Sequence, residues 1–484
     1  MIVFSNEHRF FIRTVYHRIQ IKKGWCIMRF RKWAPLISAV FMMSCFTACG
    51  GGQTASATKI ALSANGVSVE GAAISADPHD AVYLSRETIN TEKNGDGGAS
   101  SARTEVSVIH ITSPGTYRLF GTLDEGQIRV DLGQRAAKDE KSVVTLILDN
   151  AHIRCSAAPA ILFESVYGGS AEENAAETGA NILLAGGSIN TINGSHGASR
   201  WAQGAVSSRM SLNIGSEEDV VGSLRLTADQ EGICVKDRLT VNGGKIRICA
   251  ENNGIRMTES DSVAAVNGGD VRIAAGLGGK GSAVDTAGQL RFNGGTVVAA
   301  ACGNADPALR GGSGVFVNGG TVVALGSPSE GLAADSEQVT MEFCFDEEKE
   351  LKDPIVVTDA EKNAVFAYDP SADEIPAGAP RFYTAAMISC EAFREAEMYH
   401  LYLGGRAEGS SADGVYDMSA VTAYSGGTEQ AFLPSEEQSG DEDALSPSGE
   451  MISPAGVEPP SQLADFYLDG KVNLFWGVTD CQPY

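Results

Sequence analysis

The chain has 484 residues, enough for two or three domains, and 43% hydrophobic with 20% charged residues excludes wholesale disorder. Its 56 glycines beside 7% aromatics argue against a helical bundle, because glycine costs about 1 kcal/mol per helix position, and point to an all-β architecture with many tight turns. Of a formal charge of −24, eight of the 37 basic residues and one of the 61 acidic ones precede Cys49, leaving 29 against 60, which disfavours nucleic acid or a bare anionic membrane as a charge-driven partner.

The amino terminus reads as an address. Arg29-Phe30-Arg31-Lys32 leads into an uncharged run over 33–43 and then Phe46-Thr47-Ala48-Cys49-Gly50, the order of an export signal. At about 16 residues the apolar stretch falls short of the roughly 20 that a membrane span needs. Cys49, after Thr-Ala and before three glycines, resembles the bacterial lipobox, in which the cysteine is lipidated and becomes the mature first residue. Residues 1–58 are therefore expected to be signal and tether, with translation starting at Met28 and the protein anchored through lipid outside the cytoplasm. An uncleaved anchor or a plain secretory signal are the alternatives. Seven cysteines follow Cys49 (Cys155, Cys234, Cys249, Cys302, Cys344, Cys390 and Cys481), an odd number without any Cys-x-x-Cys, which reads as buried free thiols.

After an N-terminal segment over 59–101, less regular β segments are expected at 142–153, 180–193 and 210–228, with a loop at 195–203 that carries Trp201. Then Asn-Gly-Gly recurs at Asn242, Asn267, Asn293 and Asn318. One residue before the Asn stand Val241, Val266, Phe292 and Val317; four after it come Ile246, Val271, Val297 and Val322. Each copy is strand, turn, strand, with period-two side chains facing one interior. Coils of about 25 residues without helix are the size of one rung of a parallel β-helix. The Asn is expected to tolerate a left-handed backbone and to stack its amide on the next copy, the glycines to accept positive φ. A right-handed parallel β-helix over 102–335 is expected, followed by a small β domain over 336–406. The variable edge of the repeats, at 230–233, 252–255, 276–281 and 305–307, is where function usually sits. Residues 407–463, without Lys or Arg before 471 and rich in proline, read as an acidic linker, and 464–484 as a short apolar element.

Pro114-Gly115-Thr116-Tyr117-Arg118-Leu119-Phe120-Gly121, Val144-Thr145-Leu146-Ile147-Leu148-Asp149, Gly222-Ser223-Leu224-Arg225-Leu226 and the Asn-Gly-Gly coils together resemble the carbohydrate-binding-domain lipoproteins of clostridia over about 102–405. The resemblance implies a calcium-containing, pectate-lyase-like parallel β-helix that binds plant cell-wall or acidic polysaccharide without cleaving it. Where such coils carry Asn-Asp-Gly-Ile, this sequence has Glu231 and Asn253, so calcium would have to be held by Asp229, Glu231, Asp237, Asn253 and Asp261 on neighbouring rungs. A lyase reading would choose its base among Lys280, Arg256 and Arg310. Histidine spacing suits no zinc site and no nucleophile elbow occurs. At the outward positions three and five after the Asn, Lys245, Arg247 and Arg272 form a cationic cluster that can meet uronate carboxylates. Aromatic stacking candidates near the repeats are Trp201 and Tyr167. A non-catalytic adhesin or spacer is the remaining alternative, and the oligomeric state is not legible.

Overall fold

The structure is a computed structural model that describes residues 56–64, 66–93, 100–169, 178–196, 202–217, 220–303, 306–372, 375–376, 379, 381–419, 421, 423–431, 465–468 and 470–480. Cys49 and the rest of the leader, Trp201, Cys481 and most of the expected linker lie outside the described residues. Ala57–Tyr484 form one compact unit.

Strands dominate, and among the described residues the only helices are two short 3-10 turns. Through the repeats each strand pairs in parallel with the strand three further on, so the chain lays down three columns. The first column holds Ala180–Leu184, Leu212–Ser216, Arg238–Val241, Val263–Val266 and Gln289–Phe292. The second holds Ile189–Gly194, Ser223–Ala228, Lys245–Ala250, Asp270–Ala275, Thr296–Ala301 and Thr321–Gly326. The third holds Ile161–Ser165, Gly204–Ser208, Glu231–Val235, Ile255–Met257, Val284–Thr286 and the start of Leu309–Val317. Alternation decides which side chains face inward: Leu239, Val241, Ile246, Ile248, Ile255 and Met257 from one turn of chain all join a single core cluster.

The Asn-Gly-Gly corners join the first column to the second. Asn267 Nδ2 donates to Asn242 Oδ1 at 2.9 Å, Asn293 to Asn267 at 2.8 Å and Asn318 to Asn293 at 2.9 Å, an amide ladder along the stack. The expected left-handed asparagine is not found, since none of the four has positive φ. The second glycine takes that role: Gly269 has φ +92°, and a Cβ there would stand 2.6 Å from the Gly244 carbonyl oxygen of the turn before. The Asn recurs for its amide, the glycine for its backbone and its lack of bulk.

Past residue 326 the pairing changes sense. Phe382–Ser389 runs antiparallel to Thr321–Gly326 and to Thr340–Glu350, and Val472–Asp480 pairs in parallel with Thr340–Glu350. The apolar C-terminal element thus finds its partner in a strand some 130 residues earlier. A second sheet combines Ile355–Asp359, Ala364–Tyr368, Met398–Glu408 and Ala423–Ala431. Strands Ser411–Ala412, Val415–Tyr416 and Ala423–Ala431 occupy the start of the segment expected as linker. Their scarcity of large aliphatic residues hid them, because they pair along an existing sheet edge and do not build a core of their own. The outward face of the second column is covered in its last turns: Val298, Ala300, Val323 and Leu325 are buried with Met341, Phe343 and Ile388 in a second core cluster.

Candidate functional site

One row of outward side chains in the second column is cationic. Arg225 pairs in register with Arg247, and Arg247 with Arg272, so three arginines stand on successive turns, about 4.8 Å apart along the stack. Lys245 stands on the same strand as Arg247, two residues before it. These four line a cleft of about 450 Å³ between the second column and a wall made by Ala372, Ile375 and Asp413. The structure therefore brings Lys245, Arg247 and Arg272 together and adds Arg225, which an alignment keyed on Asn misses because its turn has no Asn-Gly-Gly. The signal was present as apolar-Arg-apolar at 224–226, 246–248 and 271–273.

The cations are not bare. Asp270 accepts from Arg272 Nε at 3.1 Å and from Arg247 Nη2 at 3.0 Å. Asp413 lies 2.6 Å from Lys245 Nζ and is also bonded to Arg247 Nη2, and Arg272 Nη2 donates to the Ala412 carbonyl at 2.9 Å. Arg272 is buried, while the Lys245 side chain is 46% exposed. The Lys245 ammonium, with the charges of Arg247 and Arg272, holds the Asp413 carboxyl below the usual carboxylate range. What the arrangement offers is a set of forked and point-charge donors matched to carboxylates, with Asp413 already showing one bound.

The residues expected to hold calcium do not converge. Asp229, Glu231 and Asn253 lie at the corner between second and third columns, whereas Asp237 and Asp261 lie beyond the opposite ends of the third-column strands, a strand length of roughly 15 Å away. Glu231 is buried and accepts the Asn253 N–H at 2.9 Å and Asn252 Nδ2 at 3.0 Å. Burial pushes its carboxyl up despite nearby Arg256. Asn253 Oδ1 accepts the Ser282 N–H at 2.8 Å, Asp229 accepts from Ser195 at 2.6 Å, and Asp237 pairs with Lys236 at 3.1 Å. The oxygens of Asp229, Glu231 and Asn253 join neighbouring turns, and among the described residues no group of three or more His, Cys, Asp or Glu is placed to hold a metal ion. These residues do not fit calcium.

Two of the three lyase candidates, Arg256 and Arg310, are spent in a charge ladder on the third column. Arg256, Asp285, Arg310 and Glu330 occupy one register across four turns. Arg256 pairs with Asp285 at 3.3 Å, and Arg310 with Glu330 at 2.8 Å. The Glu330 hydrogen bond raises the Arg310 pKa, the opposite of what a proton-abstracting base needs. Lys280 is exposed on the 276–283 turn, and Tyr167 does not line the cleft. The six described cysteines are thiols, five of them buried and Cys249 half-buried; burial pushes the Cys234 and Cys390 thiols up to about 11, as inert core thiols.

A family model described as carbohydrate-binding domain-containing protein matches residues 105–365, more than half of the chain. The chain belongs to that family. The matched residues include Arg225, Lys245, Arg247 and Arg272; Asp413 lies beyond them. No curated protein matches the chain. A solved structure described as the polysaccharide lyase-like protein from C. thermocellum shares 21% identity with a TM-score of 0.37, covering 55% of this chain and 93% of its own.

Proposed function

We propose that this protein is a lipid-anchored extracytoplasmic binder of acidic polysaccharide, that its three-column stack is a right-handed parallel β-helix, and that the cleft of Arg225, Lys245, Arg247 and Arg272 receives uronate carboxylates. The observation that carries the reading is the register of three arginines on successive turns beside a cleft, on a chain of net charge −24. Elsewhere on such a chain an acidic polymer is repelled, so a local cationic row sets where it can land. Guanidinium forks favour carboxylates over hydroxyls, which selects uronates over neutral sugars. Family membership supports carbohydrate as the ligand class. Binding is read as non-catalytic, because Arg256 and Arg310, two of the three candidate bases, are ion-paired with Asp285 and Glu330.

The test is a glycan array screened with and without chelator, paired with an ultraviolet assay for unsaturated uronate product. Retention of uronate polymers in both conditions, without product, is expected. Binding that chelator removes would restore the calcium reading, product would restore the lyase, and silence on every glycan would leave a spacer.

A further inference from the structure

The Asp413 carboxylate occupies the place in the cleft that a ligand carboxylate would take. It arrives on the tip of a hairpin, Ser411–Ala412 paired with Val415–Tyr416, from a part of the chain 166 residues beyond Arg247 and outside the family-matched segment. We propose that this hairpin is an internal plug: Asp413 competes with acidic polysaccharide for Lys245, Arg247 and Arg272, and the polymer displaces it on binding. The inference rests on the polysaccharide reading of the same cleft.

Two observations support displacement over permanent closure. The hairpin has two-residue strands, and in the first of them Ser411 and Ala412 are exposed, so few buried contacts hold that strand. The turn itself, Asp413-Gly414, is tied by the pairing of Tyr368 with Val415 and by the Asp369 N–H donating to the Gly414 carbonyl at 2.9 Å, so displacing Asp413 loosens these two contacts. Asp413 and Gly414 take φ +46° and +91°, the backbone that a two-residue Asp-Gly hairpin turn favours, which presents the Asp413 carboxylate to the cleft. Its side chain is 37% exposed and that of Lys245 46%, and part-exposed ion pairs contribute little stability. A polymer presenting many carboxylates outcompetes one tethered carboxylate by multivalency.

The experiment uses the full chain, polygalacturonate as probe, and the variants Asp413→Asn and Asp417→Asn, the second a charge control on the same segment with no role in the cleft. Calorimetric titration at low salt should show Asp413→Asn binding roughly tenfold more tightly than wild type, as for a site that the plug leaves open a tenth of the time, and Asp417→Asn binding like wild type. Independently, saturating polygalacturonate should lower amide-exchange protection across 409–417 in the wild-type protein. Equal affinities of Asp413→Asn and wild type, or unchanged protection, overturn the plug and leave polysaccharide binding standing. Failure of every form to bind polygalacturonate removes the polysaccharide reading and the plug with it.

Discussion

Val266 points inward and is 5% exposed, stacked in register between Val241 and Phe292, while Thr240 one turn earlier points outward. Val266→Asp puts a carboxylate among apolar neighbours and is expected to cost more than about 3 kcal/mol, whereas Thr240→Asp should cost under about 1 kcal/mol; paired thermal melts check the difference. Glu342 gives a second residue test. It is 3% exposed, burial raises its pKa above the unfolded value, and the Ser329 N–H at 2.8 Å offsets this only in part. A raised folded pKa means that its contribution is full below the ordinary Glu range and is lost as pH rises through the folded value. Glu342→Gln should therefore raise the melting temperature at neutral pH, with the gain shrinking in mildly acidic buffer. At this scale the sequence was most legible: the inward positions and the amide ladder follow from the repeat alone. The backbone reason attached to the asparagines did not, because φ is set by the second glycine, which the next turn of chain crowds.

At the scale of elements, repeats were readable and long-range pairings were not. The sequence over 338–345, 354–358, 364–368, 385–390 and 398–403 reads as strands, and the structure has Thr340–Glu350, Ile355–Asp359, Ala364–Tyr368, Phe382–Ser389 and Met398–Glu408. Nothing local reveals that Phe382–Ser389 would close the second column, since edge pairing uses backbone groups that every sequence supplies. The same limit applies to the cleft: its cations were legible by period, but Asp413 was not, because no pattern links a hairpin tip to side chains so distant in sequence. The Asp413 contact also carries a pH signature. The groups facing it are Lys245, Arg247, Arg272 and the like-charged Asp270. With its pKa depressed, the contact contributes above the ordinary Asp value of about 3.9 and is lost as pH falls through the lowered one. Protection factors across 409–417 should fall on acidification below roughly pH 4 in wild type, and show no such step in Asp413→Asn.

At the scale of the whole molecule, the stack and the C-terminal sheets share a core. Val298 and Val323 of the stack bury against Met341, Phe343 and Phe475, so the last strand, Val472–Asp480, closes a cluster that the repeats alone leave open. Along the cationic row exposure falls from exposed Arg225 through half-buried Arg247 to buried Arg272. The proposed lipid anchor is tested separately: Cys49→Ala is expected to abolish lipid labelling and release the protein, and continued membrane retention would mean that the apolar segment, uncleaved, holds it. The most direct test of the cationic cleft is calorimetric titration of polygalacturonate against wild type and an Arg225→Gln/Lys245→Gln double variant, chosen because Arg225 is exposed and Lys245 nearly half so, with melting temperature as the control. Affinity reduced by about tenfold or more at unchanged melting temperature is expected; equal affinity at matched stability would contradict the assignment of polysaccharide to this cleft.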